Sequence, residues 1–167
     1  GIIHTIRSGQ QLFVPGAWRV LVLALPLLWI AGAMDPSQWD EFSHWLPASQ
    51  YLWAINGFPN NQLPYLGAYM FPAYPFGWPM LAYLSSLIAG QFLDNISGTL
   101  NVLLLLTFST FALRTALRVA GRELTAQINW GFAALIVLFA TILNPTFVQK
   151  IILTAYSDVS TSVVTGF

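Results

Sequence analysis

Residues 95–113 read NISGTLNVLLLLTFSTFAL, an uninterrupted run without a charged side chain. A run of this length and apolar character is long enough to cross the hydrocarbon core of a bilayer as a helix. Arg114, Arg118 and Arg122 follow the run at intervals of four residues and therefore form one stripe on a helix. We predict a membrane helix whose basic stripe contacts anionic lipid phosphates.

Further apolar runs flank this segment on both sides. Residues 14–34 and 126–144 are each long enough to span a bilayer, and residues 157–167 begin another apolar segment. Pro26 lies inside the first of these runs, where a membrane helix tolerates it. The sequence therefore predicts an all-α polytopic membrane protein with three complete spans and the start of a fourth.

The composition excludes several classes of protein. Hydrophobic residues make up 56% of the chain, charged residues 7%, and the mean hydropathy is +0.65, whereas a soluble protein is about 25% charged. Six basic and six acidic side chains cancel, which argues against a nucleic-acid partner. The chain has no cysteine, so a disulfide framework and a cysteine nucleophile are excluded. Because it starts at Gly1 and stops within an apolar run, we expect a portion of a longer protein.

The distribution of charge predicts the orientation in the membrane. Arg7 precedes the first span, Arg19 lies near its start, where it can snorkel, and acidic residues follow it, so the positive-inside rule places the N-terminus in the cytoplasm. Residues 35–94 then form a large external loop, periplasmic or luminal, that carries juxtamembrane helices. If the apolar run 77–93 crossed the membrane fully, the arginine stripe would lie outside, against the positive-inside rule. We therefore predict that the run 77–93 lies in the interface, or enters the membrane and returns on the same side. Residues 114–123 then form a cytoplasmic loop.

Prolines divide the external loop. Seven of the ten prolines of the chain lie within residues 35–79. Pro36 suits the first position of a helix that the preceding aspartate caps, and Pro47 predicts the end of that helix just before it. Residues 74–79, YPFGWP, predict a rigid turn rather than a helix. An apolar helix is expected to follow over residues 80–93.

The same loop begins with an acidic segment, WDEFSHW at residues 39–45. On a helix Asp40 and His44 share one face. A carboxylate one turn from an imidazole can act as a general base or bind a divalent cation. The acidic residues can equally complement the N-terminus of their own helix, and the spacing leaves both interpretations open.

Four more residues are candidates for a site on the external side. Tyr74 and Trp78 flank the predicted turn, where they can hold a lipid headgroup or an isoprenoid chain, or anchor the loop in the interface. By the count of spans, Asp158 lies level with Asp40 at the external end of the fourth helix, as a site residue or as a complement to the helix dipole. Lys150 falls on the same side, where it contacts an anionic headgroup or snorkels to the interface.

The order of these features resembles the membrane glycosyltransferases of the GT-C type, such as protein mannosyltransferases and relatives of the aminoarabinose transferases. The matching elements are the acidic motif Trp39-Asp40-Glu41 with His44, the turn at residues 74–79, and the sequence AYSD at residues 155–158. The resemblance covers most of the chain and identifies it as similar to the N-terminal portion of such an enzyme.

The resemblance implies transfer of a sugar from a polyprenyl- or dolichyl-phosphate carrier to an acceptor on the external face, by one inverting displacement. Asp40 would be the general base, with Glu41 as a second catalytic residue. Asp40 and Asp158 would hold a divalent metal where one is used. The residues that would bind the substrate are His44, Tyr74, Trp78, Lys150 and Asp158.

Two other classes of function fit the sequence. A non-catalytic membrane subunit would pack through its aromatic loop against a larger complex and would use the bilayer and other membrane subunits as partners. A portion of a transporter or channel is the third interpretation. It is less favoured because the candidate acidic residues gather at one interface, whereas transport sites lie near the middle of the bilayer.

Overall fold

A computed structural model describes residues 15–36, 41–63, 76–121, 128–142 and 165. Within these residues all regular secondary structure is helical and there is no strand, which confirms the prediction of an all-α fold. A π-helical turn over Glu41–Trp45 leads directly into the second helix. The helices are α1 (Ala17–Ala33), α2 (Leu46–Ile55), α3 (Gly77–Ala89), α4 (Ile96–Val119) and α5 (Trp130–Ile142).

Three helices, α1, α4 and α5, pack against one another around an apolar core. Alanines on α1 and α5 face this core, and such small side chains let helix backbones approach closely. Larger aliphatic side chains of α4 occupy the space between them. The buried core residues are Val20, Ala24, Ala31, Val102, Leu105, Leu106, Ile128, Ala133, Ile136 and Ala140.

Contacts at the helix ends fix the directions of these three helices. A Cβ placed on Gly32, near the end of α1, would lie 3.7 Å from Oγ1 of Thr99, near the start of α4. The two helices are therefore antiparallel. The amide of Ile128, just before α5, donates to the carbonyl of Pro15, just before α1, at 3.0 Å, so α5 runs parallel to α1.

The other two helices form a pair beside this bundle. α2 packs against α3, and α3 also contacts α4. The hydroxyl of Tyr83 on α3 donates to Oδ1 of Asn56, at the end of α2, over 2.6 Å. The buried residues of the pair are Ala48, Ser49 and Leu52 on α2, and Trp78, Pro79, Ala82 and Ser86 on α3.

Among the described residues, one helix is long and apolar enough to cross a membrane, namely α4 with 24 residues. At 1.5 Å per residue it extends over about 36 Å, which exceeds the roughly 30 Å of a hydrocarbon core. α1, α3 and α5 are apolar but shorter. The structure thus supplies one candidate span, and the polytopic arrangement stays a prediction.

α4 continues farther than the span predicted at residues 95–113. Arg114 and Arg118 lie within it, so the loop predicted to begin at residue 114 begins later. Residues 114–119 contain good helix formers, with neither glycine nor proline to end the helix. The stop comes at Gly121, whose φ of 73° is left-handed and whose amide donates to the Arg118 carbonyl.

The prediction that Pro47 ends a helix was wrong. α2 begins at Leu46 and has Pro47 in its first turn. Proline is compatible with that position because the first amides of a helix have no partner inside the helix. α2 continues to Ile55 and ends at Asn56, a residue with a φ of 51°.

The predicted turn at residues 74–79 was wrong over its second half, and its first two residues lie outside the described ones. α3 begins at Gly77, and Pro79 again stands in a first helical turn. The apolar helix expected over residues 80–93 ends earlier, at Ala89. Gly90 ends it with a φ of 71° and a hydrogen bond from its amide to the Leu87 carbonyl.

Gly16 allows the starts of α1 and α5 to meet. Its φ is 84°, a left-handed value that favours glycine. A Cβ at this position would lie 2.6 Å from the carbonyl oxygen of Ile128, which is closer than real Cβ atoms come to backbone. Any side chain here would therefore separate the two helix starts.

We expect Gly16→Ala to destabilise the bundle by about 1–3 kcal/mol, because alanine is strained at this φ and collides with Ile128. Thermal unfolding of the purified protein in detergent, followed by circular dichroism, measures the change. Gly77→Ala is the matched control, because a Cβ there meets no atom within 4 Å and lies in a helix. An equal unfolding temperature for Gly16→Ala and the wild type would contradict this account of the junction.

Candidate functional site

An acidic cleft lies where α1 ends and α4 begins. It is small and partly open to solvent, with a volume of about 10 Å³. Three carboxylate residues line it, from three different segments of the chain. The lining residues are Met34, Asp35, Pro36, Glu41, Asp94, Asn95 and Gly98.

A hydrogen bond between the ends of α1 and α4 positions two of these acidic residues. The side-chain amide of Asn95 donates to the carbonyl of Gly32, one of the last carbonyls of α1, which have no partner within their helix. The chain leaves α1 through Met34 in an extended conformation. Asp35 and Asp94 therefore face the same cleft although they are far apart in sequence.

The connection from α3 to α4 is fixed by Ser86. This serine is fully buried, and its hydroxyl donates to the carbonyl of Ala82 at 2.8 Å. It also accepts a hydrogen bond from the amide of Leu93 at 3.0 Å. Leu93 precedes Asp94 directly, so Ser86 holds the backbone that presents this acidic residue to the cleft.

Glu41 is the buried member of the acidic cleft. It is 2% exposed and begins the π-helical turn, whereas Asp35 and Asp94 are exposed. Burying a carboxylate costs free energy that must be offset by its contacts. A carboxylate buried beside a cleft is a candidate for chemistry, and Glu41 was predicted as a catalytic residue.

Two other predicted site residues are described, and neither lines the acidic cleft. His44 lies in the same π-helical turn as Glu41, with its Nδ1 against the hydroxyl of Ser43. Trp78 is buried in the first turn of α3. Their predicted roles in substrate binding stay predictions.

The remaining predicted residues, Asp40, Tyr74, Lys150 and Asp158, lie outside the described residues. The metal site predicted at Asp40 and Asp158 therefore stays a prediction. Within the part of the chain that the structure describes, no three His, Cys, Asp or Glu side chains are grouped so as to hold a metal ion.

Sequence reasoning did not find Asp94 and Asn95 as site residues and treated Asp35 as a helix cap. The feature of the sequence that indicates these residues is their position beside the apolar runs. Asp35 follows an apolar run and Asp94 precedes the next long one. When two such helices are antiparallel, the end of the first and the start of the second meet, so the flanking acidic residues share one side.

The basic residues of the described segments lie at the other end of the bundle. Arg19 is near the start of α1, and Arg114 and Arg118 are in the last turns of α4. At 1.5 Å per residue, about 27 Å of α4 lies between Ile96 at its start and Arg114, and about 33 Å between Ile96 and Arg118. The described charges are therefore sorted into an acidic end and a basic end.

Comparison with protein-family models, with curated proteins and with solved structures found no match. The functional interpretation therefore depends on the chemistry of the site and not on the fold.

We expect Ser86→Ala to lower the free energy of unfolding by about 1–3 kcal/mol, because the partly buried amide of Leu93 loses its acceptor. Ser85→Ala is the matched control, since the Ser85 hydroxyl only donates to the Leu81 carbonyl of its own helix, and its effect should stay within about 0.5 kcal/mol. Thermal unfolding in detergent measures both. Equal effects of the two substitutions would contradict the role assigned to Ser86.

Proposed function

We propose that this chain belongs to an integral membrane glycosyltransferase of the GT-C type, which transfers a sugar from a polyprenyl-phosphate carrier to an acceptor on the periplasmic or luminal face. The observation that carries the proposal is the acidic cleft. It brings the buried Glu41 together with Asp35 and Asp94 at the acidic end of the bundle. Grouped carboxylates of this kind are suited to removing a proton from an acceptor hydroxyl.

The reaction is a single inverting displacement. The acceptor hydroxyl attacks the anomeric carbon of the sugar as the bond from that carbon to the phosphate oxygen breaks. The proton of the hydroxyl passes to a carboxylate, which we assign to Asp40 with Glu41 beside it. The polyprenyl phosphate leaves with the electron pair of the broken bond, and a cation stabilises its charge.

We assign that stabilising charge to Lys150, to His44 or to a divalent metal held by Asp40 and Asp158. These are the candidates because the sequence contains neither lysine nor arginine between Glu41 and Arg114 that could stabilise the phosphate. The basic residues of α1 and α4 lie at the far end of the bundle and are too distant to reach a phosphate in the acidic cleft.

The separation of charges supports an orientation across the membrane. α4 is long enough to place its basic end in one interface and its acidic start in the other. The positive-inside rule then puts Arg114 and Arg118 in the cytoplasm and the acidic cleft outside. α3 is apolar but has 13 residues, about 20 Å of helix. We place it in the external interface beside the cleft.

A non-catalytic membrane subunit is the alternative, and the apolar surface of the helices favours it. Trp29 on α1 is 80% exposed and Ile88 on α3 is 89% exposed. Soluble monomers rarely carry large continuous surfaces of this kind, so either lipid or a second protein covers them. In the alternative, the covering protein contributes the activity and this chain contributes the scaffold.

The test is transfer from a polyprenyl-phosphate sugar by membranes that contain the full-length protein. We expect Asp40→Asn and Glu41→Gln to reduce the rate about 10²- to 10⁴-fold, because positioned acid–base groups contribute factors of that size. Arg118→Gln is the control, since it removes an exposed charge at the opposite end of the bundle and should leave the rate unchanged.

Transfer that both carboxylate substitutions leave undiminished would overturn the catalytic proposal. The subunit interpretation gains support if, in addition, Ile88→Ser reduces the mass of the assembly in which the protein migrates. Ser85→Ala, one turn away on the same helix, is the matched control for that measurement and should leave the mass unchanged.

A further inference from the structure

At the basic end of the bundle, Arg19 is flanked by two tryptophans. Its guanidinium carbon lies 5.1 Å from the ring centre of Trp18 and 5.9 Å from that of Trp130. The two rings meet edge to face, with 5.2 Å between their centres. Nη1 of Arg19 donates to the carbonyl of Ile128 at 2.5 Å. These contacts hold the guanidinium in one position between the starts of α1 and α5.

The charge of Arg19 has no counter-ion among the described residues. Its contacts there are the two aromatic rings and one neutral carbonyl. Nε is buried and has no acceptor. A partly buried cation that is not compensated by an anion is costly, so the arrangement calls for an anionic partner that is not part of these segments.

The start of α1 adds positive potential at the same place. Gly16 caps the helix without a side-chain hydrogen bond, and the first turn contains no acidic residue. The guanidinium folds back beside Gly16, since a Cβ there would lie 3.0 Å from Nη1. α5 differs, because Oδ1 of Asn129 accepts from the amide of Phe132 at its start. The uncapped N-terminus of α1 and the guanidinium of Arg19 therefore both produce positive potential at the same place.

The surroundings select the kind of anion. Trp18 is 54% exposed and Trp130 is 48% exposed, and half-exposed indoles are characteristic of the boundary between headgroups and acyl chains. Leu21 and Leu25 continue the exposed surface along α1 without a charge. An anion bound here would have a polar head at Arg19 and an apolar body along the helix.

We propose that Arg19, between Trp18 and Trp130, binds the phosphate of an anionic phospholipid. The planar guanidinium matches phosphate oxygens with paired N–H donors, and the acyl chains lie along the exposed side of α1. The bound lipid neutralises the one charge that the described residues leave uncompensated at this junction. The site is at the opposite end from the acidic cleft and does not depend on the proposed glycosyltransferase activity.

Thermal unfolding of the full-length protein in neutral detergent tests the proposal. Phosphatidylglycerol should raise the unfolding temperature, whereas phosphatidylcholine and inorganic phosphate should not. In Arg19→Gln the apparent affinity for phosphatidylglycerol should fall about tenfold or more, because hydrogen bonds to a charged group are lost. Arg19→Lys keeps the charge without the paired donors, so its affinity for phosphatidylglycerol should lie between those of the wild type and Arg19→Gln. Ser85→Ala, a substitution on α3 that removes no charge and only a hydroxyl bonded within its own helix, is the control and should behave as the wild type.

Three results would overturn the lipid site. The first is an equal response to phosphatidylglycerol in Arg19→Gln and the wild type. The second is a response to inorganic phosphate as large as that to the lipid, which would make this a free-phosphate site. The third is a response to phosphatidylcholine as large as that to phosphatidylglycerol, which would make the binding independent of the anionic headgroup.

A second measurement uses the wild-type protein and so does not depend on the folding of an Arg19 variant. Brominated phosphatidylglycerol should quench the tryptophan emission more strongly than brominated phosphatidylcholine at equal content in mixed vesicles. Because the chain has seven tryptophans, the double substitution Trp18→Phe and Trp130→Phe identifies the signal of the site and should remove most of the difference. Equal quenching by the two lipids would overturn the proposal.

Discussion

The antiparallel packing of α1 on α4 is the constraint on which the rest of this structure depends. The amide of Asn95 bonds to the carbonyl of Gly32, so the end of one helix is joined to the start of the other. This brings Asp35 and Asp94 to one cleft. Because α4 is long, the same arrangement carries Arg114 and Arg118 to the far end. The contact between the end of α1 and the start of α4 thus places the acidic residues at one end of the bundle and the basic residues at the other.

The two ends of the bundle support different chemistry. At the acidic end, carboxylates gather without a basic residue among the cleft's lining residues, which suits proton removal and attraction of a cation. At the basic end, a guanidinium between two aromatic rings suits the recognition of an anion. Between them the bundle is apolar, and polar hydroxyls such as those of Thr107 and Thr110 bond to the carbonyls four residues earlier. The helix backbone thereby supplies these hydroxyls with acceptors inside their own helix.

Local pattern predicted the apolar helices well, because uncharged runs of sufficient length have few alternatives to helix. It failed at Pro47 and Pro79, since proline both ends a preceding helix and suits the first turn of a new one, and local sequence does not choose between these. It also ended α4 too early by taking Arg114 as a loop residue. Glu41 was predicted from an acidic motif, whereas its neighbours Asp35 and Asp94 in the cleft, and the pairing of Arg19 with Trp130, depend on contacts between distant segments.

The π-helical turn over Glu41–Trp45 has a consequence for sequence variation at the cleft. A turn of this kind contains one residue more than an α-helical turn. Deleting a single residue here would restore ordinary winding and rotate the upstream side chains by about 100° around the axis. The side chain of Glu41, which is buried beside the cleft, would then point in a different direction. Insertions and deletions in this short segment therefore change the character of the cleft as strongly as replacement of its carboxylates.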